Sequence, residues 1–376
     1  MQLIHTPTDT HLWAREYERS LTDVLKLQSE MARAIADEIR IQVTPEERAR
    51  LASANSVNPG AHEAYLLARY HYWKHIVADH QRAIDHFARA IQIEPSYAAA
   101  HAGLSMAWQK WGTQKPAKLN EFGPQASTAA RKALELDDRL PEAHIAQGHL
   151  QFFHDWDWSG GENSIRRALE LEPNNLDAHY NYAFLLNALG RFPQAIAEIQ
   201  TAERLDPLSH RVQALFGHIL HRSGKPDEAV LRFKQAIERE PRSANALHGL
   251  GEVYVQMGKY TEAIEIFDKA RVLKGNPPED PLFRSSLANV YARMGKRSEA
   301  KRLLNSIADD VPRSDLGAAA YAALGDADHA FKLLFDRVEK HEDPNVVFLK
   351  TNPWLSALHS DPRWQQLLRR MNLPVE

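Results

Sequence analysis

The sequence contains no cysteine. This excludes disulfide bridges, thiolate metal sites and a cysteine nucleophile, and it is compatible with reducing and oxidising compartments alike. No run of about 18 apolar residues could span a bilayer, and the N-terminus lacks the basic and then apolar pattern of a signal peptide. We therefore expect a soluble polypeptide of unknown compartment, cytoplasmic by default and periplasmic if the parent architecture has an upstream membrane span.

Neither sign of charge dominates, because 46 Lys and Arg stand against 49 Asp and Glu, for a net charge of -3. This balance argues against a general surface for nucleic acid or anionic membranes, so we expect no nucleic acid to be bound by this chain. A chain of 376 residues is also too long for one compact core. A repeat array avoids that limit because each unit packs only on its neighbours.

Sets of residues recur at intervals of 34 positions, as 207 − 173 and 241 − 207 show for the prolines. The sets are Pro173, Pro207 and Pro241; Gly190, Gly224 and Gly258; Ala195, Ala229 and Ala263; and Ala202, Ala236 and Ala270. A glycine lets a helix end in a left-handed turn, and a proline ends the following helix. The small alanines allow two helices to approach closely, and Phe233 completes one apolar stripe at helical spacing.

These positions resemble the tetratricopeptide (TPR) family, as in LGRFPQAIAEIQTAERLDP, SGKPDEAVLRFKQAIEREP and MGKYTEAIEIFDKARVLKG. The resemblance implies an all-α fold, a right-handed superhelical solenoid of helix-turn-helix repeats, with a small α/β remnant at the N-terminus. We assign about eight units to residues 61–340. One unit carries extra residues around TQKPAKLNEFGP, where Pro116, Gly123 and Pro124 predict a long loop between its helices.

Residues 341–376 are assigned to a C-terminal capping helix. Asp361 is the expected N-cap and Pro362 the first helical residue. The apolar side chains of Trp364, Leu367 and Leu368 are expected to seal the end of the array.

Residues 1–60 do not fit the repeat. QLIHTPTDTHLWAREY predicts two short strands around a turn, and SLTDVLKLQSEMARAIADEIRIQV predicts an amphipathic helix. With HLWAREYERSLTDVL and TPEE, this stretch resembles the end of the TolB-like (FlgO-related) domain that precedes TPR arrays in bacterial signalling proteins. We interpret it as a partial domain remnant and linker, and the chain as a fragment, a misassigned start or a degenerate paralogue.

The 19 histidines raise a metal hypothesis, since His71 and His75, and His218 and His221, could share helix faces. No HExxH motif or completing carboxylate accompanies them, so we favour scattered packing or surface histidines. Each repeat unit is expected to contain a first and a second helix. His101, His144 and His179 each lie at the fourth position of the first helix of a unit and are predicted to be structural. Phosphate-binding glycine motifs and a nucleophile elbow are absent from the sequence. We expect no catalytic residue, no metal and no cofactor.

The TPR resemblance implies that the first helices line a concave groove, which would hold a protein or peptide partner. Mixed polar and cationic side chains there would suit a segment bearing carboxylates, because Arg binds carboxylates bidentately and Asn can clamp a peptide backbone. We expect micromolar affinity, on the order of 8 kcal/mol. The candidates are Asn181, Phe184, Asn187, Arg211, His218, His221, Arg222, Asn245, His248, Glu252, Gln256, Asn289 and Arg293.

The favoured interpretation is a non-catalytic protein-protein interaction scaffold within a bacterial signalling or transcription-regulatory protein. The alternative is a regulatory fragment of a winged-helix, kinase or cyclase protein whose effector domain is missing. A metallohydrolase is a third interpretation, supported only by the histidine count. The sequence does not predict the oligomeric state.

Overall fold

The computed structural model of the protein describes residues 2–5, 10–14, 57–73, 77–114, 119–307, 315–340 and 344–374. The chain divides into two compact units, Met1–Leu104 and Ser105–Glu376. We call them unit 1 and unit 2.

Unit 1 contains an antiparallel strand pair, β1 (Gln2–His5) and β2 (Thr10–Ala14), where the sequence predicts two strands. Its helix pair consists of α1 (Pro59–Tyr72) and α2 (Val77–Ile93). The side chain of Asn58 caps α1 by accepting a hydrogen bond from the backbone N–H of Gly60. The amphipathic helix predicted over 20–43 lies outside the described residues.

Helix α3 (Ala98–Gln114) crosses the boundary between the units. The remaining helices belong to unit 2, in which odd-numbered helices are the first and even-numbered helices the second members of successive pairs. Their bounds are α4 Leu119–Leu136, α5 Pro141–Phe153, α6 Trp158–Leu171, α7 Leu176–Leu189, α8 Phe192–Leu205, α9 His210–Arg222, α10 Pro226–Arg239, α11 Ala244–Gln256, α12 Tyr260–Leu273, α13 Pro281–Arg293, α14 Arg297–Asn305, α15 Asp315–Ala323 and α16 Ala327–Lys340. The predicted all-α fold of paired helices is confirmed.

The 34-residue glycines end first helices as predicted. Gly190, Gly224 and Gly258 have φ values of 80°, 79° and 74°, in the left-handed region that a side chain disfavours. Each lies between the two helices of a pair, so the chain reverses there and the second helix packs back on the first.

The predicted apolar stripe forms the contact between helices. Ala229, Phe233 and Ala236 on α10 are fully buried. The ring of Phe233 lies against the backbone of Gly217 on α9 and of Gly249 on α11, where an added Cβ would come within 2.9 and 2.5 Å of ring atoms. Both glycines are therefore needed for close packing rather than for a turn.

The prediction of a long loop around Pro116, Gly123 and Pro124 is wrong at its second half. Gly123 and Pro124 lie inside α4, which begins at Leu119. The imidazole of His154 occupies the space beside Gly123, since a Cβ there would lie 2.2 Å from Nε2. The extra residues thus lengthen α3 and α4. Glycine is required at position 123 because His154 fills the space that a side chain would need.

The last described part of unit 2, residues 344–374, is called the C-terminal segment below. It comprises two 3-10 helices, Pro344–Thr351 and Pro353–Leu358, and helix α17, Pro362–Arg370. Asp361 is the N-cap of α17, accepting from the backbone N–H of Arg363, as the sequence predicted. The first 3-10 helix packs on α7 and α15, the second on α15, and α17 on α16.

Trp364, Leu367 and Leu368 are buried in one apolar cluster with Phe331 of α16. This cluster extends further, because the indole N–H of Trp158 on α6 donates a buried hydrogen bond of 2.8 Å to the carbonyl of Met371. The C-terminal segment therefore contacts an early helix of unit 2 as well as the last ones.

Candidate partner-binding groove

First helices lie side by side in unit 2, with α5 against α7, α7 against α9, α9 against α11, and α13 against α15. All the predicted binding residues belong to α7, α9, α11 and α13. We call the face that carries them the groove. The structure separates them into a part covered by the C-terminal segment, a histidine–glutamate cluster, buried amides and an open part.

Phe348 of the C-terminal segment covers two of the predicted residues. Its ring centroid lies 4.8 Å from that of Phe184 on α7. The guanidinium of Arg222 on α9 lies over the Phe348 ring, 4.2 Å from its centroid. Next to this site, Thr351 lies beside Gly190 at the end of α7. A partner would have to displace Phe348 to reach the faces of Phe184 and Arg222 that it covers.

Trp354 covers two further predicted residues. Its ring lies 6.3 Å from the His221 ring on α9 and 5.9 Å from the guanidinium of Arg293 on α13. Arg293 also donates from Nη2 to the carbonyl of Trp354 at 3.5 Å. The sequence predicted the groove but not that the chain itself fills this part of it.

Three asparagines predicted to clamp a peptide are buried. Asn181 donates from Nδ2 to the backbone carbonyl of Asp177 at 2.8 Å, one turn earlier on α7. In contrast, neither side-chain polar atom of Asn187 has a hydrogen-bond partner within the described residues, although the residue is fully buried. Asn289 accepts from Nε of Arg293 at 3.1 Å, while its Nδ2 has no partner in that same part of the chain.

Asn181 and Asn187 make a matched pair on one helix. Asn181→Ala is expected to lower the free energy of unfolding by about 1 kcal/mol, because it removes a hydrogen bond. Asn187→Ala is expected to leave it unchanged or raise it, because it removes a buried amide whose hydrogen bonds are not made. Urea unfolding of both variants checks this. An Asn187→Ala loss equal to that of Asn181→Ala would contradict it.

His218, His248 and Glu252 form a half-buried cluster on α9 and α11. Nδ1 of His248 lies 3.4 Å from one carboxylate oxygen of Glu252, and Nδ1 of His218 lies 4.0 Å from the other. Burial by itself would raise the pKa of Glu252, but the hydrogen bond from His248 and the nearby imidazoles outweigh it and lower the pKa. Glu252 is therefore a carboxylate at neutral pH.

Two imidazoles of α9 are held neutral by burial. Burial lowers the pKa of His218 to about 3 and that of His221 to about 4, and the charge of Arg222 acts in the same direction. Nδ1 of His221 donates a hydrogen bond of 2.8 Å to Oε1 of Gln256, which joins two of the predicted binding residues. Within the described residues, no three His, Asp or Glu side chains are placed to hold a metal ion.

Arg211 and Asn245 remain on the open part of the groove. Asn245 is exposed, and Arg211 pairs with Asp177 and lies over the Tyr180 ring at 4.8 Å. Lys110 of α3 is close enough for its charge and that of Arg211 to interact. Burial and then the charge of Arg211 lower the pKa of Lys110 to about 8. The open part therefore concentrates positive charge in partly desolvated surroundings.

The recurring first-helix histidines have a structural role. Nε2 of His144 and of His179 donates to the carbonyl oxygens of Asp138 and Pro173, at 2.7 and 2.9 Å. His101 of unit 1 makes the same contact with Pro95 at 3.0 Å. Each ring ties a first helix to the turn before it. Asp157 also has a structural role, as the N-cap of α6, because its side chain accepts a hydrogen bond from the backbone N–H of Gly160.

Sequence reasoning missed Lys110, Phe348 and Trp354. Lys110 is a single lysine within the apolar stretch SMAWQKWG, and its pKa is lowered by burial and then by the charge of Arg211, about 100 positions away. Phe348 and Trp354 lie in VVFLKTNPWLSAL, whose apolar residues fit neither helical nor strand spacing. That irregular apolar run is the signal that could have indicated a buried, non-helical segment.

The tetratricopeptide repeat family model matches residues 157–219 and 220–279. These residues cover α6 to α12, in which the 34-residue spacing is regular. This part of the chain therefore consists of tetratricopeptide repeats, and the fold of unit 2 is that of an α-helical repeat protein.

Several proteins are similar to parts of the chain. Putative adenylate cyclase 3 of Rhizobium meliloti is 30% identical over 148 residues, which is 38% of this chain and 24% of that protein. Type IV pilus assembly protein PilF of Pseudomonas aeruginosa is 28% identical over 152 residues, 40% of this chain and 60% of that protein. The superkiller proteins of fission yeast and mouse are 23% and 24% identical, and the chain spans only 16% and 15% of their length.

Among solved structures, that of Pseudomonas aeruginosa pilF is 19% identical with a TM-score of 0.42, covering 57% of this chain and 94% of that one. The structure of PilW, a type IV pilus biogenesis factor, is 17% identical with a TM-score of 0.46, covering 57% and 96%. Within the residues that the structure describes, none of the helices is long and apolar enough to cross a membrane.

Proposed function

We propose that the chain is a non-catalytic scaffold that binds a peptide or a segment of a partner protein in the open part of its groove. The observation that supports this most directly is the pair of cationic side chains, Lys110 and Arg211, brought together from α3 and α9. The Tyr180 ring lies beside Arg211, and Asn245 is exposed on α11, the next first helix. These groups suit a segment that carries a carboxylate next to an apolar side chain.

The charges favour an anionic ligand even though Arg211 already pairs with Asp177. Lys110 is half-buried, and burial and then the charge of Arg211 lower its pKa to about 8, so its positive charge is less stable there than in water. A ligand carboxylate would stabilise that charge and oppose the repulsion by Arg211, so part of the binding free energy comes from relief of an unfavourable arrangement. Residues further along the groove would then contact the ligand backbone.

Peptides selected from a phage-displayed random library on the full-length chain provide the test. We expect acidic residues or a free C-terminal carboxylate among them, with micromolar dissociation constants by fluorescence anisotropy. Arg211→Ala and Lys110→Gln should each weaken binding by about tenfold, as expected for loss of one charge-assisted contact. The melting temperature should not fall by more than a few degrees.

Arg239→Ala is the matched control, because Arg239 is exposed on the second helix α10, away from the groove. It should bind the selected peptides like the wild type. Affinity should also fall as the pH rises past about 8, because a deprotonated Lys110 no longer attracts a carboxylate. Equal binding by Arg211→Ala and wild type, or selected peptides without acidic groups, would overturn the proposal.

The placement of this scaffold in a bacterial signalling or regulatory protein is part of the same proposal. It is supported by the resemblance of residues 1–60 to a TolB-like domain and by the partial similarity to a putative adenylate cyclase. The latter similarity also favours the alternative, a regulatory fragment of such an enzyme. A cyclase assay on the purified chain, with ATP and with Mg²⁺ or Mn²⁺, should give no cyclic AMP. Measurable turnover would sink the scaffold interpretation.

A further inference from the structure

The C-terminal segment is held in the groove in the manner of a bound peptide. Two aromatic anchors six positions apart, Phe348 and Trp354, each contact a ring and a guanidinium. For Phe348 these are Phe184 and Arg222, and for Trp354 they are His221 and Arg293. Aromatic anchors in buried sites lined by arginine typify binding hot spots between separate molecules.

Polar groups around the covered part are incompletely satisfied. Both amide atoms of Asn187, Nδ2 of Asn289 and the indole N–H of Trp354 are buried without a hydrogen-bond partner in the described part of the chain. Asn187 lies on α7, on which the first 3-10 helix packs, and Asn289 lies one turn before Arg293, which contacts Trp354. Each such group destabilises the docked arrangement, because its hydrogen bonds to water are lost and not replaced.

An extended peptide could satisfy these groups, because its main chain presents N–H and C=O groups that are not already engaged in a helix. The carbonyl groups of a 3-10 helix are largely used within that helix. Asn187 and Asn289 therefore lie on helices that the segment contacts, and the segment does not satisfy their amide groups.

We propose that the C-terminal segment is a resident, exchangeable ligand of the groove. Its binding site on α7, α9 and α13 accepts a peptide with two aromatic anchors, and the docked segment keeps that site closed. The inference goes beyond the proposed function, which concerns the open part at Lys110 and Arg211. It rests on that function only in assigning peptide binding to the same face.

The C-terminal segment belongs to the same chain as the groove, and this covalent connection controls its exchange with other peptides. A tethered segment competes at an effective concentration on the order of millimolar. A free peptide with the same contacts therefore binds poorly until the resident segment is weakened or released. A partner with better backbone contacts to Asn187 and Asn289 would overcome this disadvantage.

The test uses a fluorescein-labelled synthetic peptide of residues 344–374 and three full-length proteins, with anisotropy as the readout. The wild type should bind the peptide weakly. Phe348→Ala/Trp354→Ala, in which both resident anchors are removed, should bind it at least about 50-fold more tightly. The control Ser356→Ala/Gln365→Ala changes two exposed residues of the same segment and should behave like the wild type.

Equally weak binding by the wild type and a folded Phe348→Ala/Trp354→Ala variant overturns the proposal. Hydrogen exchange of the wild-type chain is the second measurement, should that variant not fold. Amides of residues 344–374 should exchange faster than those of α9 and α11, through release of the segment. Exchange of all three at one common rate overturns the proposal. Neither measurement involves Arg211 or Lys110, so failure here is distinct from failure of the proposed function.

Discussion

Lowering the pH from 7 to 4 is expected to unfold unit 2. Burial lowers the pKa of His149 on α5 to about 4, and on α9 it lowers that of His218 to about 3 and that of His221 to about 4. Because these values lie below the ordinary histidine pKa near 6.5, the unfolded chain binds protons that the folded chain excludes. The contribution of these neutral imidazoles to the stability of unit 2 is therefore fully present above pH 6.5 and is lost as the pH falls towards 4.

The loss is on the order of 2–3 kcal/mol for each imidazole between pH 7 and 4. Three such losses are comparable with the whole stability of an ordinary domain, about 5–15 kcal/mol. Glu252 lies beside His218 of α9 and beside His248, one turn earlier on α11. It also destabilises unit 2 at low pH, because a carboxylate whose pKa is lowered by folding loses its contribution to the stability as the pH falls below its unfolded pKa. Arg222 on the same helix as His218 adds repulsion once that imidazole is protonated.

Circular dichroism at 222 nm against pH measures the effect, with an expected midpoint between about pH 4 and 6. His218→Phe keeps a ring against Phe233 but removes one titrating group, so its midpoint should move to lower pH. His329→Gln, a change at an exposed histidine, should leave the midpoint where it is. A wild-type chain that stays helical at pH 3 would show that these imidazoles do not control stability.

Replacing Phe233 by alanine is expected to lower the free energy of unfolding by about 3–5 kcal/mol. The side chain is fully buried and lies between α9 and α11, against Gly217 and Gly249. Its removal leaves a cavity bordered by two backbones, which are less able to close the space than flexible side chains are. One substitution thereby loosens the contact between two consecutive helix pairs.

The glycines allow a reciprocal test. Gly249→Ala alone should destabilise by about 1–3 kcal/mol, because its Cβ would lie 2.5 Å from the Phe233 ring. In a Phe233→Ala background the same change should cost much less, so a double-mutant cycle should show strong coupling. Leu231→Ala, at a side chain 62% exposed on the same helix, is the control and should stay within about 0.5 kcal/mol. Additive effects of Phe233→Ala and Gly249→Ala would contradict this account.

The local features of the repeat could be predicted because each depends on neighbours in sequence. The turn at Gly224 and the buried stripe around Phe233 follow from spacing alone, and the structure confirms both. The N-cap at Asp361 is likewise a local hydrogen bond. The loop predicted at Gly123 failed because the space beside that residue is set by His154, which follows the end of α5.

The candidate groove was predicted less completely because side-chain contacts across it are non-local. The sequence placed Arg222, His221 and Arg293 on first helices, but their contacts with Phe348 and Trp354 join residues some 60–130 positions apart. Helical periodicity contains no information about such pairs. The binding role of Arg211 and Asn245 stays a prediction, as does the division into residues 1–60, 61–340 and 341–376.

The hydrogen bond from Trp158 to Met371 joins residues 213 positions apart. A repeat array is ordinarily quasi-one-dimensional, so it can fray from an end or gain and lose a unit without effect on distant ones. In unit 2 the last segment is tied to α6, so loss of any intervening pair would break this closure. While the C-terminal segment is docked, the helix pairs of unit 2 should therefore unfold together rather than one by one. Unit 2 should also fold more slowly than a linear array of equal size, because this closure joins residues so far apart in sequence, and it should tolerate neither insertion nor deletion of a whole repeat.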